Sequence, residues 1–101
     1  MNNNDILRKL RYTFDFSDDK MIELFALADA EVTRAAVSDW MKKEDDPSFI
    51  QLLDKDFACF LNGFIIDKRG KKDGQAPINE KSLNNNIIFR KLKIALNFKD
   101  D

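Results

Sequence analysis

Few side chains in this sequence could carry out a reaction, and histidine is missing altogether. Without an imidazole the chain lacks the usual neutral-pH general base and the commonest metal ligand. The one thiol, Cys59, lies between Ala58 and Phe60 with no base to pair with it. A packed, protonated core cysteine explains it more simply than a nucleophile. Ser17 and Ser38 have no partner bases either. The acidic pairs Asp18–Asp19 and Asp45–Asp46 could in principle hold a divalent cation, but no calcium-loop spacing surrounds them. Acids at a helix start and acids in a solvated loop account for both. Gly70 and Gly74 follow no strand and form no phosphate cradle. The expectation is therefore no enzyme, no cofactor and no metal.

Phosphate chemistry is the other candidate. Lys68, Arg69, Lys71 and Lys72 form the densest basic run, diluted by Asp67 and Asp73. A solvated linker explains that run more simply than an arm laid along phosphates. A formal charge of −1 and a pI of 5.4 argue against a general attraction to nucleic acid. The Asn triplets at 2–4 and 84–86 have the amides that can pair with adenine. Helix capping accounts for them with less.

The elements that would position these groups read as helices. Three Gly, two Pro and 35% charged residues leave little room for tight turns. Ile6, Leu7, Leu10 and Phe14 recur at helical spacing, which predicts a first helix over about 4–14. Ser17 caps a second helix running to about Ala28, and Thr33 caps a third over Arg34 to about Lys43. Pro47 falls in a polar break, after which a longer helix over about 52–68 carries Phe57, Phe60, Leu61, Phe64 and Ile65 on its apolar face. Gly63 inside it costs about 1 kcal/mol relative to Ala, so it should permit close approach of another helix. Asn62 beside it needs a hydrogen-bond partner if buried. Residues 69–81 read as a polar linker, and a fifth helix is expected over about 85–97.

That fifth helix repeats the first. Asn2 to Asp19 and Asn84 to Asp101 align at an offset of 82, since 84 − 2 = 82, with ten of eighteen positions identical. The second copy stops at Asp101, the counterpart of Asp19. The chain thus reads as an all-α protein: a compact four-helix, helix-turn-helix-like domain (1–68), a linker (69–81), and the first helix of an incomplete second repeat (82–101). Its stripe of Ile88, Phe89, Leu92 and Leu96 has no evident cover within the chain. Burying a few such side chains contributes several kcal/mol, at about 1.5–3 kcal/mol each, and a lone helix of that length is marginal in water. The expected partner is a second copy, giving a homodimer in which these four residues are buried between chains.

With NNNDILRKLRY, SDDKMIELF, MKKEDDPSF, FLNGFIIDKRG and LNNNIIFRKLKIALN taken together, the chain resembles the YehS-like bacterial proteins of unknown function over essentially all 101 residues. The resemblance implies a small, cytoplasmic, mostly helical protein with two tandem copies of one domain, and no activity. More loosely, Ser17, Thr33, Val37, Trp40 and Pro47 resemble the helix-turn-helix of phage-repressor-type domains. That likeness implies duplex contacts from Arg34, Lys42 and Lys43, which Asp39, Glu44, Asp45 and Asp46 would oppose. The N-terminus has no charged region followed by an apolar core, and the most apolar stretch, Phe57 to Ile66, is about half a membrane span. The sequence-level expectation is a cytoplasmic, non-enzymatic module for helix-mediated interaction or self-association, with DNA binding as the alternative.

Overall fold

The computed structural model describes residues 2–69 and 82–96, the side chains of Arg69 and Leu96 apart. Among them are five α-helices and no strand, so the chain is all-α: α1 Asn3–Phe14, α2 Asp18–Leu27, α3 Arg34–Met41, α4 Asp54–Arg69 and α5 Asn85–Leu96. Of the expected linker, Arg69 closes α4, whereas Lys71 and Lys72 lie outside the described residues.

Helices α1, α2, α3 and α5 each start where a side chain can satisfy a free N–H. Asn2 accepts the Asp5 N–H at 2.8 Å while the Asp5 carboxylate accepts the Asn2 N–H at 3.3 Å, a reciprocal capping box. That backbone bond, reinforced by Arg8, holds the Asp5 carboxyl below its ordinary pKa. Ser17 accepts from Lys20 N–H and Thr33 from Ala36 N–H, each at 3.1 Å. Asp18 and Asp19 sit in the electropositive first turn of α2. The ends of α1 and α2 share a device as well. Asp15 (φ 54°) and Asp29 (φ 64°) take the left-handed conformation, and Phe16 and Ala30 donate back to the carbonyls of Arg11 and Phe25 at 3.0 Å. Helix α3 stops two residues short of the expected Lys43, because a turn closed by Asp46 N–H and Lys43 O already begins there.

The core is aromatic. Phe25, Phe57, Phe60 and Phe64 are fully buried; Phe25 stacks on Trp40 at 5.3 Å and meets Phe60 at 5.4 Å. The predicted α4 face is buried throughout, from Phe57 to Ile65. Gly63 does what its position suggested: a Cβ there would stand 1.6 Å from the Leu24 carbonyl oxygen, so α2 crosses α4 backbone to backbone. Lys20 ties the same two helices on their outer side through Asp67 at 2.8 Å.

The expectation that α5 lacks cover within the chain is corrected. It packs against α4, with Ile88 4% and Ala95 0% exposed. Lys91 is buried too, and its Nζ donates to the Asn62 Oδ1 at 2.5 Å. The fully buried Asn62 thereby finds its partner on α5. Leu83 N–H, just before α5, also donates to Asp54 at 2.9 Å, fixing the start of α5 to the start of α4.

Candidate interaction surface

Helices α1 and α5 begin and end at equivalent positions of the repeat, 82 residues apart. Their caps also match: Asn84 accepts the Ile87 N–H at 2.8 Å as Asn2 accepts that of Asp5. Yet the two helices turn different faces inward, roughly 130° apart about the helix axis. In α1 the buried residues are Asn4, Leu7 and Leu10. Their counterparts in α5 are Asn86, which is exposed, Phe89, which is 65% exposed, and Leu92, which is half-buried. Helix α5 is instead anchored by Ile88, Lys91 and Ala95, the counterparts of half-buried Ile6 and exposed Lys9 and Thr13.

Of the four predicted interface residues, then, Ile88 faces the chain's own interior, Phe89 faces outward and Leu92 lies between. The Leu96 side chain lies outside the described residues. Sequence reasoning missed that α1 lines the same edge. Ile6, Lys9, Leu10 and Thr13 of α1, with Asn85, Phe89 and Leu92 of α5, enclose a largely apolar groove of about 290 Å³. The repeat register could have pointed to them, because Ile6, Lys9 and Thr13 are the counterparts of Ile88, Lys91 and Ala95.

Asn4 shows what the buried face of such a helix does. Its amide N–H groups donate to Trp40 O at 3.0 Å and Ile50 O at 2.9 Å, and its oxygen accepts Leu52 N–H at 2.9 Å. Asn3 adds bonds to Leu52 O at 3.1 Å and Asp54 at 2.7 Å. The strap between α3 and α4 is therefore clamped to α1 by two asparagines. Capping explains only Asn2 of the triplet.

The candidate nucleic-acid residues do not converge in this way. Arg34 is paired with Asp18 at 3.6 Å and Asp19 at 2.5 Å. At the other end of α3, Lys42 is paired with Asp39 at 2.7 Å, which raises the lysine pKa; Lys43 is exposed. Lys68 sits over the Phe14 and Phe64 rings at 5.6 and 5.8 Å. The Arg69 side chain, Lys71 and Lys72 lie outside the described residues.

Three of the four paired acids are also committed. Asp18 and Asp19 meet arginines, and Asp46 accepts the Ser48 N–H at 2.8 Å. Among the described residues no cluster of three or more His, Cys, Asp or Glu could hold a metal ion. Cys59 is half-buried, and burial, with Asp56 and Asp29 nearby, pushes its thiol pKa up, away from nucleophilic reactivity at neutral pH. Among the described residues no helix is long and apolar enough to cross a membrane.

Comparison with known proteins places the chain. Residues 3–70 match the family model described as a protein of unknown function, DUF1456. The match covers α1–α4 and ends one residue past α4. The uncharacterized protein YehS of Escherichia coli (strain K12) is 37% identical over 102 residues, which cover 100% of this chain. The chain spans 65% of the length of that curated relative. No solved structure matches significantly, and these matches do not show the phage-repressor resemblance. On the family match and the identity over its whole length, the chain belongs to the DUF1456 family of proteins of unknown function.

Proposed function

We propose that this chain is a non-enzymatic interaction module that binds helical partners through the outward face of α5 and the groove beside it. The observation that carries this reading is Phe89: a large apolar ring, 65% exposed, on a helix anchored in the core by another face. An exposed aromatic beside an apolar groove is the usual anchor of a helix-mediated contact. The anchoring matters because it holds the ring in place, so a partner need not pay for ordering the helix.

For the chain on its own, the partner at hand is a second copy, and the proposed product is a homodimer. Sedimentation velocity over a concentration series tests this. The native chain should show reversible association that Phe89→Asp shifts toward monomer by at least about tenfold in Kd, one lost anchor being about 1.4 kcal/mol or more. Helicity should be unchanged, since the position 89 side chain faces outward. A native chain that stays monomeric at every concentration would contradict self-association. Retention of a DNA duplex at low salt, lost on Arg34→Ala with Lys42→Ala, would favour the DNA-binding alternative instead.

A further inference from the structure

We propose that the groove between α1 and α5 is the seat of a second α4-like helix, delivered by a helical unit that repeats α2–α4 of this chain. The inference rests on the interaction reading above and names the partner of that surface.

Helix α4 already lies against both α1 and α5. Toward this interior α1 turns Asn4, Leu7 and Leu10, whereas α5 turns Ile88, Lys91 and Ala95. Because α1 and α5 are one helix written twice, exchanging their roles describes a second seat. There α5 offers Asn86, Phe89 and Leu92 in the part that α1 plays in the first seat. Helix α1 offers Ile6, Lys9 and Thr13 in the part of α5. The groove is lined by members of both sets, Ile6, Lys9 and Thr13 on one wall and Phe89 and Leu92 on the other.

The hydrogen bonding of the partner is specified as well. In the first seat Lys91 donates to Asn62 of α4, so a helix in the second seat presents an amide oxygen at its Asn62 position to Lys9. Asn4 grips the strap at Trp40, Ile50 and Leu52. The exposed Asn86 carries the same amide at the same register, so the partner's strap offers it two carbonyls and an N–H. Length agrees with this partner. The 102 matched residues are 65% of the relative, giving it about 102/0.65 ≈ 157 residues and about 55 outside the match. Asp100 and Asp101 already repeat Asp18 and Asp19, and the rest of the α2–α4 unit, Lys20 to Arg69, is 69 − 19 = 50 residues.

The test extends the full chain at Asp101, which aligns with Asp19, by a copy of Lys20–Arg69. The added segment should become protected in hydrogen exchange. The extended chain should also stay monomeric at concentrations where the parent associates. Asn86→Ala and Lys9→Ala should each lower the folding constant of the added segment about tenfold or more, as expected for orphaned buried partners. In the parent, where both positions are exposed, they should change little. A second version carrying Phe89→Leu restores the counterpart of Leu7 and removes any obstruction by the larger ring. Three results would each overturn the proposal: an added segment unprotected in both versions, protection indifferent to both substitutions, or an extended chain still dimerising through position 89. A monomeric parent with a protected, Asn86-dependent extension would overturn only self-association and would support the seat.

Discussion

Gly63→Ala is expected to lower the thermal midpoint by about 12 °C or more, although alanine is the better helix former. In an exposed helix interior the exchange gains about 1 kcal/mol. Here the added Cβ would stand 1.6 Å from the Leu24 carbonyl oxygen and 2.6 Å from its carbon. Both atoms belong to the backbone of α2, so no rotamer relieves the overlap. Helix α2 would have to withdraw from α4, loosening Phe25 from Phe60. Overpacking of this kind costs on the order of 3 kcal/mol, sometimes more. That is a large share of the 5–15 kcal/mol that holds a typical domain, and for about 100 residues each kcal/mol shifts the midpoint by roughly 4 °C or more. Circular dichroism melts would decide it. A variant within a few degrees of the native chain would contradict the close crossing.

Asn4→Ala is the second large effect. Removing the amide leaves the Trp40 and Ile50 carbonyls and the Leu52 N–H without the partner they have in the native chain. A buried orphaned group costs about 1–3 kcal/mol, so with Trp40 O and Leu52 N–H in buried bonds and Ile50 O in a part-buried one the loss should be at least about 3 kcal/mol. Asn4→Asp should be no better, because a carboxylate would face two carbonyl oxygens. The control is the repeat itself: Asn86→Ala, at the equivalent but exposed position, should change stability by less than about 0.5 kcal/mol. Urea titrations of the pair check both values, and equal losses at the two positions would contradict the different inward faces of α1 and α5.

How far the sequence could be read follows from what each signal depends on. Helix starts were legible because caps are local: Ser17 and Thr33 bond to residues three positions on. Gly63 was legible because a glycine inside a helix has a known cost and so implies a gain elsewhere. The Asn triplet was half legible. Asn2 caps, but Asn3 and Asn4 bond to the backbone of Trp40, Ile50 and Leu52, and nothing local in the sequence announces that pairing. Cover for α5 was missed for a related reason. Comparison with α1 merged two faces into one stripe, taking Ile88 of the docked face together with outward Phe89. The face that docks holds Lys91, and a lysine does not read as core until Asn62 is seen to receive it.

The central claim is that α5 is anchored by one face and offers the other. Cysteine labelling along the helix tests it most directly. In a Cys59→Ser background, Asn86→Cys, Ile88→Cys, Phe89→Cys and Ala95→Cys would each be reacted with a thiol reagent, at dilutions where the chain is monomeric. Labelling should be fast at 86 and 89 and at least about tenfold slower at 88 and 95, because a buried thiol reacts only when the helix opens. Fast labelling at 88 and 95, or protection at 86 and 89 in the monomer, would contradict the account.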